Sequence, residues 1–271
     1  MNKKIHTSLT VAGSDCSGGA GIQADLKTFS ALGIYGMSVI TAVTAQNTLA
    51  VNDVRVLDTD FIKDQLDCVL SDIFPESVKI GMMSSSDICR ITAERLQYYG
   101  CGNIVCDPVM VSTSGSVLTS SDGVYGLEKY VFPISTIITP NIPEAQVLSK
   151  MSINNESDMV NACRIMYENY GCAILCKGGH LNDSSTDVFF NNGKAVFLTS
   201  KRINNENTHG TGCTLSSAIA SFLALGYDLL HSVEKAKEYV NGAIGQMLDI
   251  GHGKGPLDHA YVYRDHVNKI Y

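Results

Sequence analysis

Short runs of β-branched and apolar residues alternate along the chain with longer stretches in which apolar positions return every three or four residues. The short runs predict strands at Ser8–Ala12, Ser38–Thr44, Val54–Leu57, Ser77–Ile80, Asn103–Cys106, Thr136–Ile138, Ala173–Cys176, Asp187–Phe190 and Ala195–Leu198. The longer stretches predict helices over Ala20–Leu32, Asp60–Phe74, Ser86–Tyr99, Pro143–Ser149, Asp158–Asn169, Gly212–Leu225 and Leu230–Ile250. Strand and helix in turn predict the α/β class, with a doubly wound, mostly parallel central sheet and helices on both faces. One pair of strands differs. Asn191-Asn192-Gly193 lies between Asp187–Phe190 and Ala195–Leu198 and is turn chemistry for a short β-hairpin. No repeat, low-complexity tract or Pro/Gly/Ser-rich linker interrupts the pattern, so residues 1–271 read as a single domain.

Composition narrows the class of partner. A chain of 271 residues that is 45% apolar and 17% charged is too apolar for disorder. It is long enough to bury about three quarters of its unfolded surface without a covalent staple. The net charge is −7, and the nearest approaches to a basic cluster are Lys3-Lys4 and Lys201-Arg202. Nucleic acid and anionic membranes are therefore set aside as partners. Nine cysteines occur without a Cys-x-x-Cys pair, and several sit inside apolar runs such as Ala173-Ile174-Leu175-Cys176. They read as buried free thiols suited to a reducing compartment. The first residues carry a basic tip but no apolar h-region, and Ala218–Leu230 is too short and interrupted to span a bilayer. The expected location is cytoplasmic. None of the seven histidines forms His-x3-His or His-Glu-x-x-His, which sets zinc aside.

In a doubly wound sheet, ligands bind beyond the carboxyl ends of the strands, so the residues that follow each strand are the candidates. Gly13-Ser14-Asp15-Cys16-Ser17-Gly18-Gly19-Ala20-Gly21 leads to Asp25 and contains Gly19-x-Gly21-x-x-Ala24, a weak dinucleotide fingerprint. Its glycines either turn the chain and let the next helix pack closely, or line a small-molecule pocket with Asp25. Gln46 and Asn47 either form a turn or offer a carboxamide edge that matches an aminopyrimidine. Asp107-Pro108 favours a turn, and the following Ser112-Thr113-Ser114-Gly115-Ser116 suits a loop closing over phosphate. Asn141-Ile142-Pro143-Glu144 is either a capping box or a place where Glu144 meets the water shell of Mg²⁺. Lys177-Gly178-Gly179-His180 is either a solvated turn or a phosphate site.

The strongest local signal is Thr208-His209-Gly210-Thr211-Gly212-Cys213-Thr214, running into a helix. Glycines at a helix start leave amide N–H groups free beside the positive end of the dipole, an anion hole for a transferred phosphoryl group. Cys213 falls in the first turn, where the dipole is expected to lower a thiol's pKa toward neutrality and make it a proton acceptor. Otherwise it is a buried cysteine without chemistry. Walker A is absent, which excludes a P-loop kinase.

Taken together and in this order, with Lys79-Ile80-Gly81-Met82, Asp107-Pro108-Val109-Met110 and Gly253-x-Gly255-Pro256, these segments resemble the ribokinase-like vitamin kinases. The nearest resemblance is to the hydroxymethylpyrimidine/phosphomethylpyrimidine kinases of thiamine synthesis. It implies phosphorylation by ATP of 4-amino-5-hydroxymethyl-2-methylpyrimidine, and then of its monophosphate. It further implies that Gly13, Asp25 and Gln46 hold the pyrimidine, with Met82 and Val109 as apolar walls. Cys213 would be the base, and the amides of Gly210, Thr211 and Gly212 the anion hole. Asn141, Lys177 and Thr208 would handle the nucleotide phosphates, and Glu144 the Mg²⁺. A homodimer is the family expectation. The loop Ser112–Ser116 departs from the Ala-Lys-Ser-Gly-Asp of many relatives, losing a lysine and an aspartate. Some pyridoxal-acting relatives carry a cysteine where Ser112 stands, which tilts the reading toward the pyrimidine. The rivals are a pyridoxal/pyridoxine kinase, an NAD-dependent oxidoreductase resting on the glycine fingerprint, and a vitamin-binding regulator without turnover. Gln46 separates the first, NADH binding the second and ADP release the third.

Overall fold

The computed structural model describes residues 4–111, 118–178, 184–201 and 203–267. Its strands are β1 (Thr7–Asp15), β2 (Tyr35–Gln46), β3 (Val51–Val56), β4 (Ser77–Ile80), β5 (Ile104–Cys106), β6 (Ile137–Ile138), β7 (Ala173–Cys176), β8 (Ser184–Asn191) and β9 (Lys194–Lys201). All lie in one sheet, in the order β3-β2-β1-β4-β5-β6-β7-β8-β9. From β2 to β7 across the sheet every pairing is parallel. Antiparallel β3 closes one edge, and the expected β8–β9 hairpin closes the other.

The helices are α1 (Gly21–Ala31), α2 (Thr59–Leu70), α3 (Ser86–Tyr98), α4 (Ser121–Gly126), α5 (Ile142–Ser149), α6 (Glu156–Tyr170), α7 (Thr211–Ala224), α8 (Leu229–Gly245) and α9 (Tyr261–Val267). The strands show why both faces need covering. Ile104 and Cys106 on β5 pack with Ile62, Leu66, Ile88 and Met159 from α2, α3 and α6, whereas Val105 between them packs with Phe29, Ile219 and Val240 from α1, α7 and α8. Ile174 and Cys176 alternate with Ala173 and Leu175 in the same way on β7. Side chains on a strand point alternately to its two faces, so apolar residues at consecutive positions demand a helix layer on each. Among the described residues no helix is long and apolar enough to cross a membrane.

Three differences from the expected elements have local causes. Helix α2 stops at Leu70 rather than Phe74, because Phe74 precedes Pro75 and a residue before proline avoids the helical region. Helix α8 stops at Gly245, and Met247 beyond it turns left-handed at φ 51°. The apolar residues Met247 and Ile250, which extended the helical period, are exposed. Helix α4, running on through a π turn at Leu127–Val131, was not expected, nor was α9.

From β1 the chain goes to β2 on one side and reaches β4 on the other. The order reverses there, opening a crevice above the carboxyl ends of β1 and β4.

Candidate active site

One wall of the crevice is built on the loop after β1. Gly13 ends the regular part of that strand, where the pairing with β2 skips between Ala12 and Ser14. A Cβ on Gly13 would stand 3.1 Å from Met82 Sδ, so the thioether lies over bare backbone. The loop then folds onto its own oxygens. Asp15 accepts the amides of Ser17, Gly19 and Ala20 and the Ser17 hydroxyl. His209 from the start of α7 donates from Nε2 to Asp15 Oδ2 over 2.9 Å. Burial works against ionising Asp15, but the hydrogen bonds from His209, Ser17 and Ala20 outweigh it and hold the carboxyl at about 2. Gln46, at the end of β2, reaches the same corner. Its Nε2 stands 3.2 Å from His209 Nε2, and its Oε1 accepts from the Thr44 hydroxyl over 3.3 Å. The backbone of Gln46 is pinned to Cys16 Sγ from both its N–H and its carbonyl.

The other wall gathers the ends of β5, β6 and β7. Lys177 Nζ donates to Asp107 Oδ1 over 2.8 Å, and the Thr139 hydroxyl donates to the same oxygen. Asn141 and Lys177 are bridged through their backbones. Both readings of Asn141–Glu144 now have a geometry. The capping box is present, with Asn141 Oδ1 accepting the Glu144 amide and Glu144 Oε2 accepting the Asn141 amide, both at 2.9 Å. Glu144 Oε1 takes the Met110 amide at 3.4 Å. Burial, only partly countered by Lys177 and reinforced by Asp107, pushes the Glu144 carboxyl up to about 7. Val109 is half-buried beside this group, and its carbonyl is tied to the Thr119 hydroxyl.

Helix α7 joins the two walls. Gly210 caps it in the left-handed region at φ 83°, and a Cβ there would fall 1.8 Å from the Gly19 carbonyl oxygen. Gly212 backs onto the ion pair, its missing Cβ 3.0 Å from Asp107 Oδ2 and 3.4 Å from Lys177 Nζ. Glycine is required at both positions, once for conformation and once for close approach. The Thr211 amide donates to the Thr208 carbonyl over 3.2 Å, whereas those of Gly210 and Gly212 meet no described acceptor. Thr208 lies just outside the helix and also takes the Thr211 hydroxyl.

Two expectations are corrected. Asp25 does not face the crevice. It is fully buried, its Oδ2 shared by Lys79 Nζ at 2.8 Å and the Thr10 hydroxyl at 2.6 Å, its Oδ1 taken by the Ser217 hydroxyl at 2.7 Å. The sequence pattern missed Lys79 as its partner, because a lysine in the apolar run Ser77–Ile80 carries no mark of what neutralises it. The second correction concerns Cys213. Burial pushes its thiol up to about 11, despite the Lys79 cation and a Gly21 amide that favour the thiolate. The helix dipole is thus outweighed by desolvation, and the resting sulfur is protonated at neutral pH. Asp15, Asp107 and His209 also join the site; each lies in a segment singled out from the sequence, but without a role of its own. Ser112–Ser116 and Gly179-His180 lie outside the described residues.

Comparison with known proteins sets this geometry in a class. The structure superposes on Staphylococcus aureus pyridoxal kinase in complex with ADP with a TM-score of 0.89 and 34% identity, covering 97% of this chain and 96% of that one. It also superposes on phosphomethylpyrimidine kinase from Clostridium difficile 630 with a TM-score of 0.78 and 47% identity, covering 89% of this chain and all of the other. The fold and the crevice are those of the ribokinase-like vitamin kinases, which are phosphotransferases. The family model described as phosphomethylpyrimidine kinase matches residues 15–258. Hydroxymethylpyrimidine/phosphomethylpyrimidine kinase of Rhizobium meliloti is 45% identical over 255 residues, 93% of this chain and 96% of that protein. The chain belongs to the phosphomethylpyrimidine kinase family.

Proposed function

We propose that the protein transfers the γ-phosphoryl group of ATP to the hydroxymethyl group of 4-amino-5-hydroxymethyl-2-methylpyrimidine, and then phosphorylates the monophosphate to the diphosphate. The observation that carries this reading is the position of the α7 start. It lies between the Gln46–His209 corner and the Asp107–Lys177 pair, the distance between them spanned by Gly210, Thr211, Gly212 and Cys213. Gln46 offers a carboxamide edge to the aminopyrimidine, Gly13 gives it bare backbone to lie on, and Met82 and Val109 flank it. In the transfer, the Cys213 thiol, protonated at rest, first gives its proton to water; the substrate's hydroxyl O–H bond then breaks and its proton passes to the thiolate. The freed oxygen bonds to the γ-phosphorus as the bond to the bridging oxygen breaks, and ADP leaves. Free amides at the helix start and the Lys177 ammonium meet the charge on the moving phosphoryl group, which is most of what such catalysis requires. Asn141 and Thr208 border the same phosphates.

Mg²⁺ neutralises phosphate charge when bound with ATP. It keeps waters and takes few carboxylates, and Glu144 fits that role. Its capping and Met110 bonds leave lone pairs for metal-bound water, and the charge of a bound Mg²⁺ would favour the ionised carboxylate that burial opposes. We further propose that the protein works in the cytoplasm as a homodimer, a reading supported by Tyr35, Val43, Leu49 and Val56 exposed at the β2–β3 edge.

The test is magnesium-dependent ADP release with the pyrimidine, its monophosphate and pyridoxal in parallel. Turnover on both pyrimidines is expected, and turnover on pyridoxal alone overturns the assignment. In the same assay Cys213→Ala is expected to lower kcat about 100-fold or more with nucleotide binding retained. Gln46→Ala is expected to impair the pyrimidines far more than any use of pyridoxal, which lacks the amino-pyrimidine edge.

A further inference from the structure

Beneath the crevice floor lies a charged network that the transfer itself does not touch. Lys79 and Asp25 are both without solvent exposure and 2.8 Å apart. Thr10 on β1, facing Lys79 across the parallel pairing of β1 and β4, completes the carboxylate from one side, and Ser217 on α7 from the other. Ser217 stands one helical turn after Cys213, so the pair sits under the first turn of the helix that carries the sulfur. Gly81 makes room for the ammonium, since a Cβ there would come within 2.8 Å of Lys79 Nζ. Of the three donors on the ammonium, one is used by Asp25, and the described residues take no other.

A buried ion pair is a weak source of stability, because desolvation cancels much of the attraction. Holding α1, β4 and α7 together would be served as well by apolar packing. A cation held one helical turn from Cys213, whose charge acts on that sulfur, does something packing does not. We propose that Lys79 is a positioning residue for the phosphoryl transfer, its buried cation sustaining the ability of the Cys213 sulfur to take the substrate's proton while Asp25 fixes the ammonium in place. The inference rests on the proposed role of Cys213.

The charges around the sulfur agree. Lys79 from β4 and Lys177 from the end of β7 are the cations that face it, and Asp25 from α1 and Asp107 from the end of β5 are the anions. Lys79 is the strongest of the influences that oppose burial, ahead of the Gly21 amide, and the network keeps it protonated. Removing it leaves desolvation and two carboxylates acting in the same direction.

The test reads the sulfur itself. The rate of iodoacetamide alkylation of Cys213, followed by peptide mass spectrometry from pH 7 to pH 10, is compared in the wild type, Lys79→Gln, Lys79→Arg and the double variant Lys79→Gln/Asp25→Asn. The double variant leaves no unpaired buried charge, so the measurement survives if Lys79→Gln alone does not fold. Lys79→Gln is expected to slow Cys213 alkylation about tenfold or more at a fixed pH, as loss of a nearby opposite charge does, and the double variant, which also loses the opposing Asp25 charge, to slow it by a smaller factor. Their kcat is expected to fall in parallel while the KM for ATP stays within about twofold of wild type. Lys79→Arg, which keeps the charge, is expected to recover most of both. Alkylation at the wild-type rate in the folded double variant overturns the proposal. Slowed alkylation with unchanged kcat upholds the charge coupling and instead removes Cys213 from the proton transfer.

Discussion

His259 and Asp15 answer the same physical problem, a polar side chain taken out of water, in opposite ways. The Thr214 hydroxyl spends its one hydrogen on the Gly210 carbonyl, so at 2.9 Å it accepts from His259 Nε2. That bond needs only the neutral ring, and burial, with Lys27 nearby, holds the imidazole at about 4. Unfolded, the same ring titrates near 6.5. Its contribution to stability is therefore complete above pH 6.5 and is lost as pH falls toward 4, a loss on the order of 3 kcal/mol. Asp15, held at about 2, begins to lose its contribution only below its unfolded value of 3.8. Urea unfolding at pH 7, 5.5 and 4.5 is expected to show a falling midpoint that His259→Gln flattens, and a slope unchanged in that variant refutes the assignment. At this scale the sequence marked which positions matter better than what they do. Gly13, Gln46 and Lys177 lie at the ends of strands that border the crevice, whereas Asp25 and the Cys213 thiol depend on who else is buried with them. That is fixed by contacts between residues 54 to 192 positions apart.

Among the elements, α7 was the most legible and α4 the least, and glycine explains both. In α7 the glycines precede the helix, where they read as a start signal, and Gly210 is the left-handed cap. Gly210→Ala is expected to cost about 1–2 kcal/mol in backbone strain alone. It must also displace Gly19, whose carbonyl the new methyl would strike, and with it Asp15 and His209. A melting temperature several degrees lower and near-complete loss of turnover are expected; a variant as active as wild type would show that the cap geometry is dispensable. In α4 the glycines lie inside the helix and argue against it by propensity. Gly123 and Gly126 are there because a Cβ would come within 2.8 Å of the Met83 carbonyl oxygen and 2.5 Å of the Ser86 Cα. Tertiary packing against α3 overrides propensity, and no local pattern discloses it. The π turn that follows extends the same close contact.

Across the whole molecule, the winding of the sheet decides where chemistry is possible. Periodicity disclosed all nine strands and both helix layers, yet said nothing of strand order, which follows from pairing between distant segments. The apolar side chains left at the β2–β3 edge bear on assembly. Sedimentation velocity is expected to give about twice the chain mass, and charged substitutions at Val43 and Val56 to halve it; a monomer in the wild type refutes the homodimer. The interior place of β1, paired on both sides, has a consequence for synthesis on the ribosome. Strand β1 is made first, but its second neighbour, β4, is 69 residues away in its first paired position, Ser8 with Ser77. The face it shares with β4 is covered in part by α1, through Asp25, and is completed by α7, where the Ser77 hydroxyl meets the Ala220 carbonyl. A nascent chain thus carries a partly bare sheet until more than 220 residues have been translated. It needs shelter from chaperones for most of its synthesis, and codon changes that slow translation just before α7 prolong its exposure to aggregation.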